Sequence, residues 1–171
     1  MVDRDEWLII DAGGAVTDSG DAAVRLATAD DARAVGQLLD RFNREYDEPT
    51  PGPRALADRI AQLLSQDTLV LLAGTGPDGL AVLRLRPAIW SPGLECYLAE
   101  LYVVPERRGR GLGRALMVAA MEAARQRGAD HIDLGTSEDD NAARALYESL
   151  GFINRERGPD GPITYFYERD L

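Results

Sequence analysis

The stretch VVPERRGRGLGRALM, residues 103–117, constrains this chain more than any other. Val103 and Val104 close an apolar strand pattern, and Leu112, Leu116, Ala119, Ala120 and Ala123 then recur at helical spacing. A strand that passes through so short a turn into an amphipathic helix belongs to a layered α/β fold, because each element must bury one apolar face against the other. Three glycines and four arginines fill the turn. A helix start exposes unpaired N–H groups and the positive end of the helix dipole. Gly109, Gly111 and Gly113 remove side chains that would keep an anion from the backbone, and Arg107, Arg108, Arg110 and Arg114 add charge. The turn reads as a phosphate cradle.

Spacing excludes two other phosphate loops. No Lys-Ser or Lys-Thr follows a glycine, as a P-loop requires, and a G-x-G-x-x-G fingerprint fails because its last position falls on Arg114 or Leu116. The chain around the turn is acidic. Its 19 Lys+Arg against 29 Asp+Glu give a net charge of −10, which argues against a general nucleic-acid binder. With Cys96 the single cysteine and His131 the single histidine, neither a disulfide framework nor a metal site is expected. The opening MVDRDEWLII carries acids where a signal peptide carries bases. No apolar run approaches the roughly 18 residues of a membrane span, so no membrane partner is expected and the expected location is cytoplasmic.

Along the chain, residues 1–22 are rich in Gly, Asp and Ser and read as an N-terminal extension or linker; residues 23–171 read as one domain. AVRLATADD predicts a strand and a helix cap. Val35, Leu38, Leu39 and Phe42 predict a first helix, and Leu56, Ile60, Leu63 and Leu64 a second, separated by DEPTPGP. TLVLLAG and LAVLRLRPAIW around TGPDG predict a hairpin, and ECYLAELYVVP a long strand. After the glycine turn come a helix capped at Gly128, the strand DHIDLGTS, the helix DDNAARALYESLG, and a closing hairpin of FINRER with TYFYERDL. The predicted order is β-α-α-β-β-β-α-β-α-β-β, with a mixed sheet.

Arg108-x-x-Gly111-x-Gly113 after a strand resembles the acetyl-CoA signature [QR]-x-x-G-x-[GA] of the GNAT superfamily of N-acetyltransferases. A second block, NAARALYESLGF at residues 141–152, is similar to the family's other CoA-binding segment, with Asn at a helix start, Tyr six residues on, then Gly-Phe. The resemblance implies a mixed, mostly antiparallel twisted sheet with helices on both faces and strands 4 and 5 splayed. It implies acetyl-CoA as the acetyl donor and no metal. The pantetheine arm would pair with backbone of Leu101, Tyr102 and Val103; Arg108, Gly109, Arg110, Gly111, Leu112, Gly113 and Arg114 would hold the pyrophosphate; Asn141 would contact the CoA arm.

Two residues then stand as catalytic candidates. Tyr147 would protonate the departing thiolate, against the simpler reading of a helix tyrosine packed on the sheet. Glu100, in LAELYVV, would take a proton from the incoming ammonium, directly or through water. Strict strand alternation puts Glu100 on one face with Leu98 and Tyr102, and Ala99, Leu101 and Val103 on the other. Glu138, Asp139 and Asp140 read as helix-start charge, Cys96 as strand packing, and Arg84 and Arg86 as a solvated face or an anion contact.

The expected acceptor is a small-molecule amine. Asp40, Glu45, Asp47 and Glu48 would favour a polycation if they border the acceptor, and otherwise form a solvated helix end. A CoA-binding sensor without catalysis and a protein N-terminal or lysine acetyltransferase are the alternatives. ITYFYERDL has the apolar, aromatic character of a pairing strand, which leaves a homodimer open.

Overall fold

The computed structural model describes residues 23–170, so the expected N-terminal extension lies outside the described residues. The chain divides into two compact units, Met1–Asp133 and Leu134–Leu171.

The first unit is built on a five-stranded sheet in the order β1-β2-β3-β4-β5. Its strands are β1 (Val24–Leu26), β2 (Thr68–Ala73), β3 (Gly79–Pro87), β4 (Leu94–Val103) and β5 (Ala129–Leu134). The first four are antiparallel neighbours, and β5 runs parallel to β4. Leu71, Leu72, Leu80 and Leu83 of the β2–β3 hairpin are fully buried. Burying each contributes about 1.5–3 kcal/mol, so this hairpin anchors the sheet. β3 pairs with β4 along its whole length, whereas β5 meets β4 near its start, where the Leu94 N–H donates to the Gly128 carbonyl at 3.0 Å.

Helices α1 (Ala32–Glu45) and α2 (Pro53–Leu63) cover one face. Ala32, Val35, Leu38 and Ile60 join Val70, Leu72, Leu80, Val82 and Tyr102 in one cluster, with Leu39, Phe42 and Leu63 packed against it. The helical stripes were therefore legible. Helix α3 (Leu112–Gln126) packs on β2, β3 and β4 and buries Leu112, Leu116, Met117, Ala119, Ala120, Ala123 and Ala124. Gly128 ends it at φ +87°, a conformation that favours glycine.

Strict alternation fails in β4. Val82 faces Glu100, but its neighbour Leu83 faces Leu98, which leaves Ala99 as the extra residue of a β-bulge. Leu98 therefore turns to the face of Leu83 and Cys96, away from Glu100. Ala99 packs instead with the cluster that holds Val82 and Tyr102. Only the Glu100–Tyr102 part of the expected face survives.

The second unit holds α4 (Asn141–Ser149). The predicted closing hairpin is reduced to a single bridge, Arg155 with Ile163, flanked by Glu156 N–H to Pro162 O at 3.0 Å and Thr164 N–H to Asn154 O at 2.8 Å. Pro162 has no N–H to extend the ladder, and a two-stranded ribbon is marginal without further support. Tyr165, Phe166 and Tyr167 are exposed.

Candidate active site

The turn after β4 is braced from the protein side. A 3-10 turn, Pro105–Arg107, leads to Arg108 in extended conformation, and Gly109 (φ +72°) and Gly111 (φ +84°) then take left-handed conformations. Gly111 is the N-cap of α3, and the next residue, Leu112, is buried and anchors the helix start. A methyl group at Gly109 or Gly111 would meet no other atom within 4 Å, and both glycines are exposed. The first-turn amides of α3 thus open onto room for a ligand, as a bound anion requires.

Arg107 and Arg108 turn back onto the protein. Arg107 Nε lies 3.2 Å from Asp78 Oδ2, and the Asp78 carbonyl accepts from the Val104 N–H at 2.9 Å. Arg108 Nη1 lies 2.7 Å from Glu45 Oε1, its Nε donates to the Val103 carbonyl at 2.9 Å, and its guanidinium sits 5.7 Å from the Tyr102 ring centroid. Arg110 and Arg114 are exposed. Glu45 and Asp78 are residues that reading the sequence missed as partners of the motif; Glu45 lies far from it in the chain, and no local pattern signals the pairing.

Tyr102 is buried, and its hydroxyl donates to Glu45 Oε2 at 2.9 Å. Its ring stacks on Phe42 with centroids 5.1 Å apart. Burial, with the Glu45 carboxylate beside it, pushes the phenol up to about 12. Leu101 and Val103 are half-buried on the α3 side. Glu100 is half-buried, and burial raises its carboxyl above the usual range while the Arg84 cation pulls it back. A carboxylate with raised proton affinity suits a group that accepts a proton near neutral pH.

In the second unit, Asp140 caps α4 by accepting the Ala143 N–H at 2.9 Å, and Asp139 accepts from the Ser137 hydroxyl at 2.6 Å. Asp140 is thus the helix cap, whereas the Asp139 carboxylate is bonded to the Ser137 hydroxyl ahead of the helix. Asn141 is exposed at the first helical position, its Nδ2 donating to the Asp139 carbonyl at 3.1 Å. Tyr147 is buried beside Phe152, with ring centroids 6.0 Å apart. Burial, aided by the Asp140 carboxylate, pushes its phenol up to about 12, so it holds its proton at neutral pH.

Cys96 is fully buried, and burial with the Asp133 carboxylate pushes its thiol up to about 11. It is a poor nucleophile there, since the thiolate is the reactive form. Among the described residues no cluster of His, Cys, Asp or Glu could hold a metal ion, and no helix is long and apolar enough to cross a membrane.

Comparison with known proteins places the chain in a family. The model of the GNAT acetyltransferase family matches residues 33–152. An uncharacterized N-acetyltransferase of Bacillus subtilis (strain 168), YhfO, is 30% identical over 75% of this chain and 88% of its own length. A mycothiol acetyltransferase of Kineococcus radiotolerans is 39% identical over 72% of this chain, but the match spans only 39% of that protein. The crystal structure of a candidate acetyltransferase from Arthrobacter sp. FB24 superposes with a TM-score of 0.79 at 45% identity, covering 87% of this chain and 96% of that one.

Proposed function

This chain belongs to the GNAT family of acetyltransferases, and from that premise we propose that it moves an acetyl group directly from acetyl-CoA to a primary amine of a small molecule. The observation that carries the reading is the helix start at Gly111, where two exposed left-handed glycines leave the first-turn amides open to an anion. GNAT acetyltransferases use acetyl-CoA, whose thioester supplies the activated acetyl group.

Gly109, Arg110, Gly111, Leu112, Gly113 and Arg114 would hold the pyrophosphate, largely through backbone N–H groups. Arg108 braces that turn through Val103 and Glu45. The backbone of Leu101, Tyr102 and Val103 would pair with the pantetheine arm, and Asn141 would contact it from α4. Glu100 takes a proton from the acceptor ammonium at a carboxylate oxygen, a task its raised proton affinity supports. Tyr147 gives a proton from its hydroxyl to the departing sulfur, and burial keeps that proton in place until then. The buried, protonated state of Cys96 favours direct transfer over an acyl-cysteine route.

Titration calorimetry with acetyl-CoA tests the reading, with wild type beside the double substitution Gly111→Asp, Gly113→Asp. Two carboxylates at the helix start repel an anion and occupy its space. The expected result is micromolar binding by the wild type and none by the folded variant. A folded wild type that ignores acetyl-CoA would sink the assignment.

A further inference from the structure

The arginines of β3 differ in one respect. Arg86 donates to Glu95 at 2.8 Å and lies 3.9 Å from Asp133, so its charge is answered. Arg84 is exposed and makes no hydrogen bond or ion pair among the described residues. The bulge at Ala99 decides what Arg84 faces. It removes Leu98 from the Glu100 face and brings Tyr97 onto it, directly opposite Arg84. Glu100 then sits one diagonal step away, opposite Val82. Diagonal neighbours are about 7–8 Å apart at the backbone, within reach of long side chains. The two groups nevertheless make no ion pair within 4.0 Å. An exposed guanidinium and a half-buried carboxylate thus share one face of the sheet, near enough for the Arg84 charge to act on Glu100 but not joined in an ion pair.

We propose that Arg84 binds an anionic group of the acceptor, so that the amine acetylated here carries a carboxylate or similar anion a few bonds from its nitrogen. This rests on Glu100 being the group that receives the ammonium proton. An α-amino acid has the two charges in complementary order, ammonium toward Glu100 and carboxylate toward Arg84. A guanidinium grips a carboxylate through two parallel hydrogen bonds, which sets orientation as well as affinity.

The acids that would instead attract a polycation are largely committed. Asp40 accepts from Arg44 at 2.8 Å and from Thr50 at 2.9 Å. Glu45 holds Tyr102 and Arg108. Only Asp47 and Glu48 remain exposed without such partners among the described residues, and both lie beyond the end of α1.

The test is a thiol-release assay with acetyl-CoA and matched acceptors: a panel of α-amino acids, their carboxamides, and spermidine. Calorimetry with acetyl-CoA runs in parallel. The expected result is kcat/KM for the best amino acid at least about tenfold above that of its amide, the size of one lost charge-assisted hydrogen bond. Arg84→Gln should raise the amino acid's KM by a similar factor, abolish the acid-to-amide preference and leave acetyl-CoA affinity unchanged. Equal use of acids and amides, preference for spermidine, or no amino acid acetylated by a protein that binds acetyl-CoA would each overturn the proposal. Failure to bind acetyl-CoA would overturn the acetyltransferase reading beneath it.

Discussion

Two regions of the first unit depend on glycine for opposite reasons. In the α1–α2 pair, Gly36 has helical geometry, but a methyl group there would stand 2.5 Å from the Pro53 carbonyl oxygen and 2.7 Å from the Ala57 nitrogen. Glycine is needed there because two backbones touch. In the turn before α3, Gly111 has φ +84° and empty surroundings. Glycine is needed there for its conformation, and the space outside it is filled by no other part of the described chain. Crowding marks a glycine kept for packing; an open left-handed position marks one kept for its backbone conformation, and at Gly111 the proposed anion would use the space that conformation leaves.

The same substitution at both sites would break or sharpen that contrast. Gly36→Ala should lower stability by about 1–3 kcal/mol, because the clashing atoms are backbone and only separation of the helices relieves them. Part of the strain is offset by the better helix propensity of alanine, roughly 1 kcal/mol. Acetyl-CoA affinity per folded molecule should stay unchanged. Gly111→Ala should cost about 1–2 kcal/mol for a left-handed alanine, and it should also weaken acetyl-CoA binding. Urea denaturation and calorimetry on both variants decide it; equal acetyl-CoA affinity in the two would remove the distinction.

The two ends of α1 give a second contrast. At its start, Arg25 of β1 donates to both oxygens of Asp31 at 2.7 and 2.6 Å, and the Thr28 N–H donates to the same carboxylate at 2.8 Å. The Arg25 guanidinium leads in holding the Asp31 carboxyl down at about 2. A lowered folded value stabilises the protein above the unfolded value near 4, and that contribution is lost as pH falls through about 2. Asp31→Asn should therefore cost about 1–2 kcal/mol at pH 7, discounted because Arg25 is partly in water. The difference from wild type in denaturation should shrink steadily between about pH 4 and pH 2. A gap independent of pH would mean that the pair contributes packing and no charge.

Most of the fold was legible because it is written in local periodicity. The stripes of α1 and α3, the β2–β3 hairpin around TGPDG and the Gly128 cap each follow from a few adjacent residues. The bulge was not legible, since Ala99 is compatible with a regular strand and only the pairing with β3 places the extra residue. The closing hairpin was overread: its aromatic residues suit a strand, but Pro162, next to the single Arg155–Ile163 bridge, has no N–H to extend the ladder. In the site, the glycine turn announced itself, whereas the attachments of Arg107 and Arg108 to Asp78 and Glu45 are long-range. Local spacing carries conformation, and pairing between distant charges is settled only by the fold.

That long-range tie yields the smallest of the expected effects and the sharpest question about the turn. Glu45 ends α1 and accepts from both Tyr102 and Arg108. Glu45→Gln keeps an oxygen for the tyrosine hydroxyl but removes the charge that Arg108 answers. Arg108 is partly exposed, so the stability cost should be about 1 kcal/mol or less. If Arg108 acts as a strut, released from Glu45 it no longer fixes the Val103 carbonyl and the turn after it, and acetyl-CoA affinity should fall a few-fold. The opposite outcome is equally informative. Tighter binding in Glu45→Gln would mean that Glu45 holds Arg108 away from the anion, making α1 a restraint on the cradle instead of its support.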